Sequence, residues 1–172
     1  MRLLPGVSRP GQNTVVTVES GGVATPGLVF PVIAEDPGVF FIQPSSSKGQ
    51  GAILNQDGTV NSISNPAALG SVISIFGTGM GALIPIPQDG EFIPDANHLI
   101  QQEVHVYFAG LDEGQIIYAG AAPTLVAGVM QINVRLPGAS SSVPANQPTQ
   151  VGIYMLVGDG PQVGPLCTVA VQ

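Results

Sequence analysis

Two histidines, a set of carboxylates in glycine-rich turns, one lysine and one cysteine are the side chains from which this sequence could build chemistry. His98 falls in a proline-broken stretch, and His105 lies between Val104 and Val106 on the polar side of an alternating run. They lack the close spacing from which metal sites are made. Asp57, Asp89, Asp112, Glu113 and Asp159 occupy turns, where an aspartate bonds its own backbone and tolerates a left-handed φ. Such turns could meet at one end of a sandwich and offer oxygens to Ca²⁺, but the spacing is not that of an EF-hand loop. There is no G-x-S-x-G elbow, and neither histidine nor acid stands at triad spacing from a serine. Lys48 invites comparison with Lys–Asn isopeptide crosslinks, yet Ser45-Ser46-Ser47-Lys48-Gly49 reads as an exposed loop in which a lysine serves solubility. Tyr107, Tyr118 and Tyr154 fall in strands, and without tryptophan they make a poor platform for sugars. The expectation is a protein with no catalytic residue, no cofactor and no metal ligand: not an enzyme.

Cys167 has no second cysteine to pair with, so no intrachain disulfide forms and the redox compartment stays open. Its apolar surroundings predict a buried thiol. The setting around these groups is unusual in charge. Charged residues make up 9% of 172, against about 25% in an average soluble domain. The mean hydropathy is +0.38. The surface must be built from Ser, Thr, Asn, Gln and Gly, which offers little repulsion between copies and suits self-packing or life outside the cell. With 4 basic residues against 11 acidic and a net charge of −7, clustered cations are lacking, and nucleic acid is not an expected partner. No stretch approaches ~18 consecutive apolar residues, so no membrane span is predicted. Met1-Arg2-Leu3-Leu4-Pro5-Gly6 is too short for a signal h-region. The expectation is a cleaved precursor or a chain that begins inside a longer gene product.

The 23 glycines and 16 prolines punctuate short β-rich runs, and no amphipathic helix is evident. Thr14 to Glu19, a Ser20-Gly21-Gly22 turn and Leu28 to Ala34 predict a hairpin. Val39-Phe40-Phe41-Ile42 is an apolar run of a length that suits a buried strand. Asp57-Gly58 between Ala52–Asn55 and Thr59-Val60 predicts a second hairpin. Ser71 to Phe76 is a strand closed by glycines, 82–100 a long loop with one short edge strand, and Glu103 to Phe108 and Gln115 to Tyr118 further strands. Around Tyr118 to Pro137 the rest is organised: in Met130 to Leu136 the residues Met130, Ile132, Val134 and Leu136 share one face. Gln150 to Val157 and Leu166 to Val171 form the last pair.

A repeat is visible. Met1 to Gly6 followed by the first hairpin resembles Val134-Arg135-Leu136-Pro137-Gly138 followed by the last hairpin. The chain thus opens with half of the domain that it later contains whole, and a half domain leaves strand edges and an apolar face to be completed.

Three blocks, Pro37 to Ser62, Asn65 to Gly81 and Ile116 to Pro137, resemble the Solibacter-type uncharacterised C-terminal domain of secreted acidobacterial proteins. The Gly49–Gly58 run and the Tyr118–Asn133 block carry most of the likeness. Gly70 to Gln172 resembles the immunoglobulin-like IPT/TIG pattern. These resemblances imply export and a large multidomain parent, with no known activity.

The sequence therefore predicts an all-β, immunoglobulin-like sandwich with an additional N-terminal β-hairpin: residues 1–36 as half a domain completed from elsewhere, 37–69 as a hairpin connector and 70–172 as the sandwich. The expected role is an extracellular structural subunit, a homo-oligomer joined head to tail by β-strand pairing into a filament or tube. The alternative is a C-terminal adhesion or display module of a larger cell-surface protein.

Overall fold

The computed structural model describes residues 10–42, 49–88, 90–109, 113–138, 143–144, 147–159 and 163–172, with 163–165 by backbone alone. The Met1–Gly6 half of the repeat, Ser45–Lys48, Asp89 and Asp112 lie outside the described residues.

Every regular element among the described residues is a strand, and every strand pairing is antiparallel. Glycine and proline recur too often for a helix to propagate, while valine and isoleucine suit a pleated surface. The N-terminal hairpin is made of β1 (Asn13–Val16) and β4 (Leu28–Pro31), with Val15 opposite Val29, and carries a smaller pair at its tip, β2 (Glu19–Ser20) and β3 (Val23–Ala24). Gly21 and Gly22 turn that tip with φ of 58° and 77°, the double positive φ that a two-residue hairpin loop demands.

The body follows as β5 (Gly38–Val39), β6 (Ile53–Leu54), β7 (Val72–Thr78), β8 (Leu83–Ile84), β9 (Leu99–Ile100), β10 (Val104–Phe108), β11 (Gln115–Ala121), β12 (Met130–Arg135), β13 (Thr149–Val157) and β14 (Val163–Val171). The larger sheet runs β5-β7-β12-β11-β9-β8, and the smaller β10-β13-β14. Alternation along the strands turns one face of each sheet inward. Ile73, Ile75, Ile132 and Val134 come from the larger sheet, and Val106, Phe108, Ile153, Met155, Cys167 and Val169 from the smaller. Register places Ile75 opposite Ile132 and Phe108 opposite Ile153, so the inward residues meet in rows. The fold is an all-β sandwich with a hairpin at its N-terminus.

The segment 37–69, which the sequence marks as a connector, supplies Val39, Ile53 and Ala67 to the same core. β5 and β6 pair in relay along one edge of β7: Phe40 N donates to Phe76 O at 3.0 Å, and Phe76 N donates to Ala52 O at 3.2 Å. The expectation of a buried Val39–Ile42 strand fails here. Val39 is buried, but Phe40, Phe41 and Ile42 are 40%, 37% and 44% exposed. The chain leaves β7 at Phe40, yields that edge to β6 and folds back on Gln50 and Gly51, so these side chains fall outside the space between the sheets. The long 82–100 stretch holds two short strands rather than one, β8 and β9, which extend the larger sheet to its far edge.

One side of the sandwich is closed by the same segment. Gln50 bridges Thr168 and Ala67 bridges Val171, both in parallel sense, along the outer edge of β14. Between these bridges Asn61, wholly buried, presents its side-chain amide to Ala170.

Candidate functional site

The polar groups that could do chemistry are dispersed. His98 places Nδ1 2.7 Å from the carbonyl of Pro85. His105, on β10, places Nδ1 2.5 Å from Glu113 Oε1 and Nε2 3.6 Å from Glu103 Oε1, and stacks on Tyr107 with 6.2 Å between ring centroids. Asp57 accepts from the Thr59 hydroxyl at 2.6 Å and the Thr59 amide at 3.0 Å. These bonds hold its carboxyl below the ordinary value of 3.8. That is the turn chemistry expected of it. Asp159 lines a shallow cleft with Glu35, Gln102, Glu103 and His105. In that region Glu35 Oε2 and Gln102 Oε1 are buried without a hydrogen-bond partner. Among the described residues no group of three or more His, Cys, Asp or Glu is placed to hold a metal ion.

Cys167 is fully buried on β14 opposite Ile153, and burial pushes its thiol up to about 12. The Tyr118 hydroxyl donates to Ala121 O at 2.5 Å. Burial, and secondarily the charge of Asp95, raises its pKa above the ordinary phenol value. Among the described residues no helix is long and apolar enough to cross a membrane.

The conspicuous surface is apolar. On the N-terminal hairpin Val23 is 74% exposed, Val29 64%, Leu28 63%, Val15 60% and Phe30 47%. Register puts Val15 and Val29 on one face and Val16, Leu28 and Phe30 on the other. Both faces of a two-stranded ribbon are thus apolar, and none of these side chains joins the core. An isolated hairpin of two strands is marginal in water. It is anchored at its root, where Asp36 N donates to Gly79 O at 2.8 Å.

Two further apolar surfaces flank the body. Ile42, Val60 and Ile63 line a groove of about 330 Å³ with Gly49, Gln50, Asn61, Ser62 and Gln150. On β8, the outermost strand of the larger sheet among the described residues, Ile84 is half-exposed, and Ile86 and Phe92, which follow it, are more so. The sequence pattern reaches the hairpin but not the groove. The groove's walls come from segments about ninety residues apart in the chain, and no local periodicity marks them.

Comparison with known protein families, with curated proteins and with solved structures finds no match to this chain.

Proposed function

We propose that this chain is an extracellular structural subunit that assembles head to tail, its N-terminal hairpin completed by strands of a neighbouring copy. The observation that carries this reading is the hairpin with apolar side chains exposed on both faces. Full burial of a Val, Leu or Phe side chain stabilises by ~1.5–3 kcal/mol, so covering five that stand half to three-quarters exposed contributes several kcal/mol. Pairing a strand edge adds main-chain hydrogen bonds and removes an aggregation-prone border. The low charge leaves little electrostatic opposition between copies despite the net −7. A catalytic role finds no support, since the two histidines have separate partners and the one cysteine is sealed in the core. The resemblance of Pro37–Ser62 and Ile116–Pro137 to the Solibacter-type domain supports export.

The test is sedimentation velocity and negative-stain electron microscopy of the purified chain across a concentration series. Filaments or tubes that vanish in the doubly substituted Val15→Asp/Val29→Asp chain are expected. Both positions are exposed, so these changes leave the core intact. A wild-type chain that stays monomeric at high concentration would sink the reading and favour the display module.

A further inference from the structure

We infer that the neighbour receives the hairpin in the groove lined by Ile42, Gln50, Val60, Ser62, Ile63 and Gln150, an inference that rests on the assembly reading above. Placement is the first reason. The hairpin is rooted where β13 ends, because Ala34 and Glu35, just past β4, line one cleft with Gly158. The groove lies where β13 begins, at Gln150. Gly158, just past the end of β13, is eight residue steps from Gln150, roughly 26 Å at ~3.3 Å per residue. Donor and acceptor surfaces therefore sit at opposite ends of the sandwich. A contact between opposite ends is heterologous, and each copy that docks presents a fresh groove or hairpin to the next.

Charge is the second reason. Residues 10–34 carry Glu19 as their one charged side chain, and none of the described residues lining the groove is charged. One acid of an anionic chain falls on the hairpin and none on the described groove residues, which limits repulsion between two copies at this contact.

Chemistry is the third. Ile42, Val60 and Ile63 are 44%, 54% and 50% exposed and offer apolar seats for the hairpin's valines and Leu28. Asn61 at the groove floor is rigidly held: its amide donates to Asn55 Oδ1 and Ala170 O, and its oxygen accepts from Gln50 Nε2 and Ala170 N. Above it, Gln150 reaches Gln50 through a long 3.4 Å contact that is easily exchanged. The Gln50 and Gln150 amides and the Ser62 hydroxyl can bond backbone groups of the incoming hairpin as side-chain partners beside its apolar contacts.

The free β8 edge is a poorer receiver. It begins beside Gly81, which abuts Gln102 as Gly158 does, so it lies at the hairpin's own end of the body. A hairpin and a receiver at the same end let two copies dock reciprocally, which closes into a dimer instead of propagating.

The experiment mixes two full-length variants. One has a disabled hairpin, Val15→Asp/Val29→Asp, and the other a disabled groove, Val60→Asp/Ile63→Asp; circular dichroism melts verify that each is folded. Each alone should raise the concentration needed for assembly by at least about tenfold, since losing even one buried apolar contact of ~1.5 kcal/mol is worth that factor. Mixed one to one, they should form heterodimers and stop, because one intact hairpin meets one intact groove. If the groove variant polymerises like wild type while the hairpin variant does not, the groove is wrong and assembly stands. If Ile86→Asp blocks assembly and Val60→Asp/Ile63→Asp does not, the β8 edge is the receiver and the inference is overturned. A wild-type chain that never assembles removes both readings. If the groove variant melts early, milder Ile63→Ser must show the same capping behaviour in the mixture, and its failure to do so rejects the groove.

Discussion

Asn61 and Ala170 are joined twice: Asn61 Nδ2 donates to Ala170 O at 2.9 Å, and Ala170 N donates to Asn61 Oδ1 at 2.8 Å. A side-chain amide here takes the place that a neighbouring strand would fill along β14. Replacing it with Leu keeps volume but strands the buried Ala170 N–H, and should cost about 3 kcal/mol in urea denaturation. Asn61→Asp should cost at least as much, because a carboxylate cannot donate to Ala170 O or to Asn55 Oδ1. Stability unchanged in both variants would show that the edge is closed without it.

Gly51 and Cys167 form a second close relation across the same seam. A β-carbon at Gly51 would come within 2.8 Å of Cys167 Sγ and 3.1 Å of Ile53 Cδ1. Gly51→Ala should therefore destabilise by about 1–2 kcal/mol, and Cys167→Ala should relieve part of that cost. A double-mutant cycle is expected to give a coupling of about 1 kcal/mol; additive effects would place the clash elsewhere.

The buried thiol also sets an alkaline limit. The folded state holds the Cys167 proton up to about pH 12, whereas the unfolded chain releases it from 9.0. A raised pKa for an acid means that the unfolded state loses its proton first, so stability is intact below pH 9 and falls as pH rises from 9 toward 12. The slope attributable to this group is about 1.4 kcal/mol per pH unit. Subtracting the profile of Cys167→Ala from that of the wild type should isolate it. A flat difference curve above pH 9 would contradict the sealed thiol.

Gly77 lies within β7 where β5 crosses its edge. Any β-carbon there would collide with the carbonyl oxygen of Gly38 and stand 2.7 Å from Met80 Cε. The backbone oxygen cannot rotate away, so Gly77→Ala should force β5 off β7 at a cost of about 3 kcal/mol. Gly38→Ala is the control, since nothing lies within 4 Å of the added carbon. Hydrogen exchange supplies the local readout: the Phe40 amide, bonded to Phe76 O at 3.0 Å, should lose protection in the first variant and keep it in the second.

What was legible in the sequence is what repeats locally. Met130, Ile132 and Val134 alternate and are buried as alternation predicts, and the same holds for Val104, Val106 and Phe108. Gly21-Gly22 announces its turn because both residues need positive φ. Phe40, Phe41 and Ile42 mislead because an apolar run states preference for burial but not which strand wins the edge, and β6 takes the place that Phe41 would continue into. Asn61 carries no pattern at all. Its partner lies 109 residues away, and a polar residue in a loop looks like any other until that strand is beside it. The surfaces that support a role were half visible: the hairpin's valines stand in the sequence, whereas Val60 and Gln150 meet only through the fold.

The seam along β14 also dictates when the chain can become a protein. Until residues 163–172 have left the site of synthesis, Asn61 has no Ala170 to grip, and Ala67 no Val171. The edge that Gln50, Asn61 and Ala67 close then waits, with an amide meant for the interior still wetted, for a contact of long sequence separation that forms slowly. Closure of this seam is timed by β14, and the ribbon with oily sides, made of residues 13–31, is present on each nascent chain well before that strand emerges.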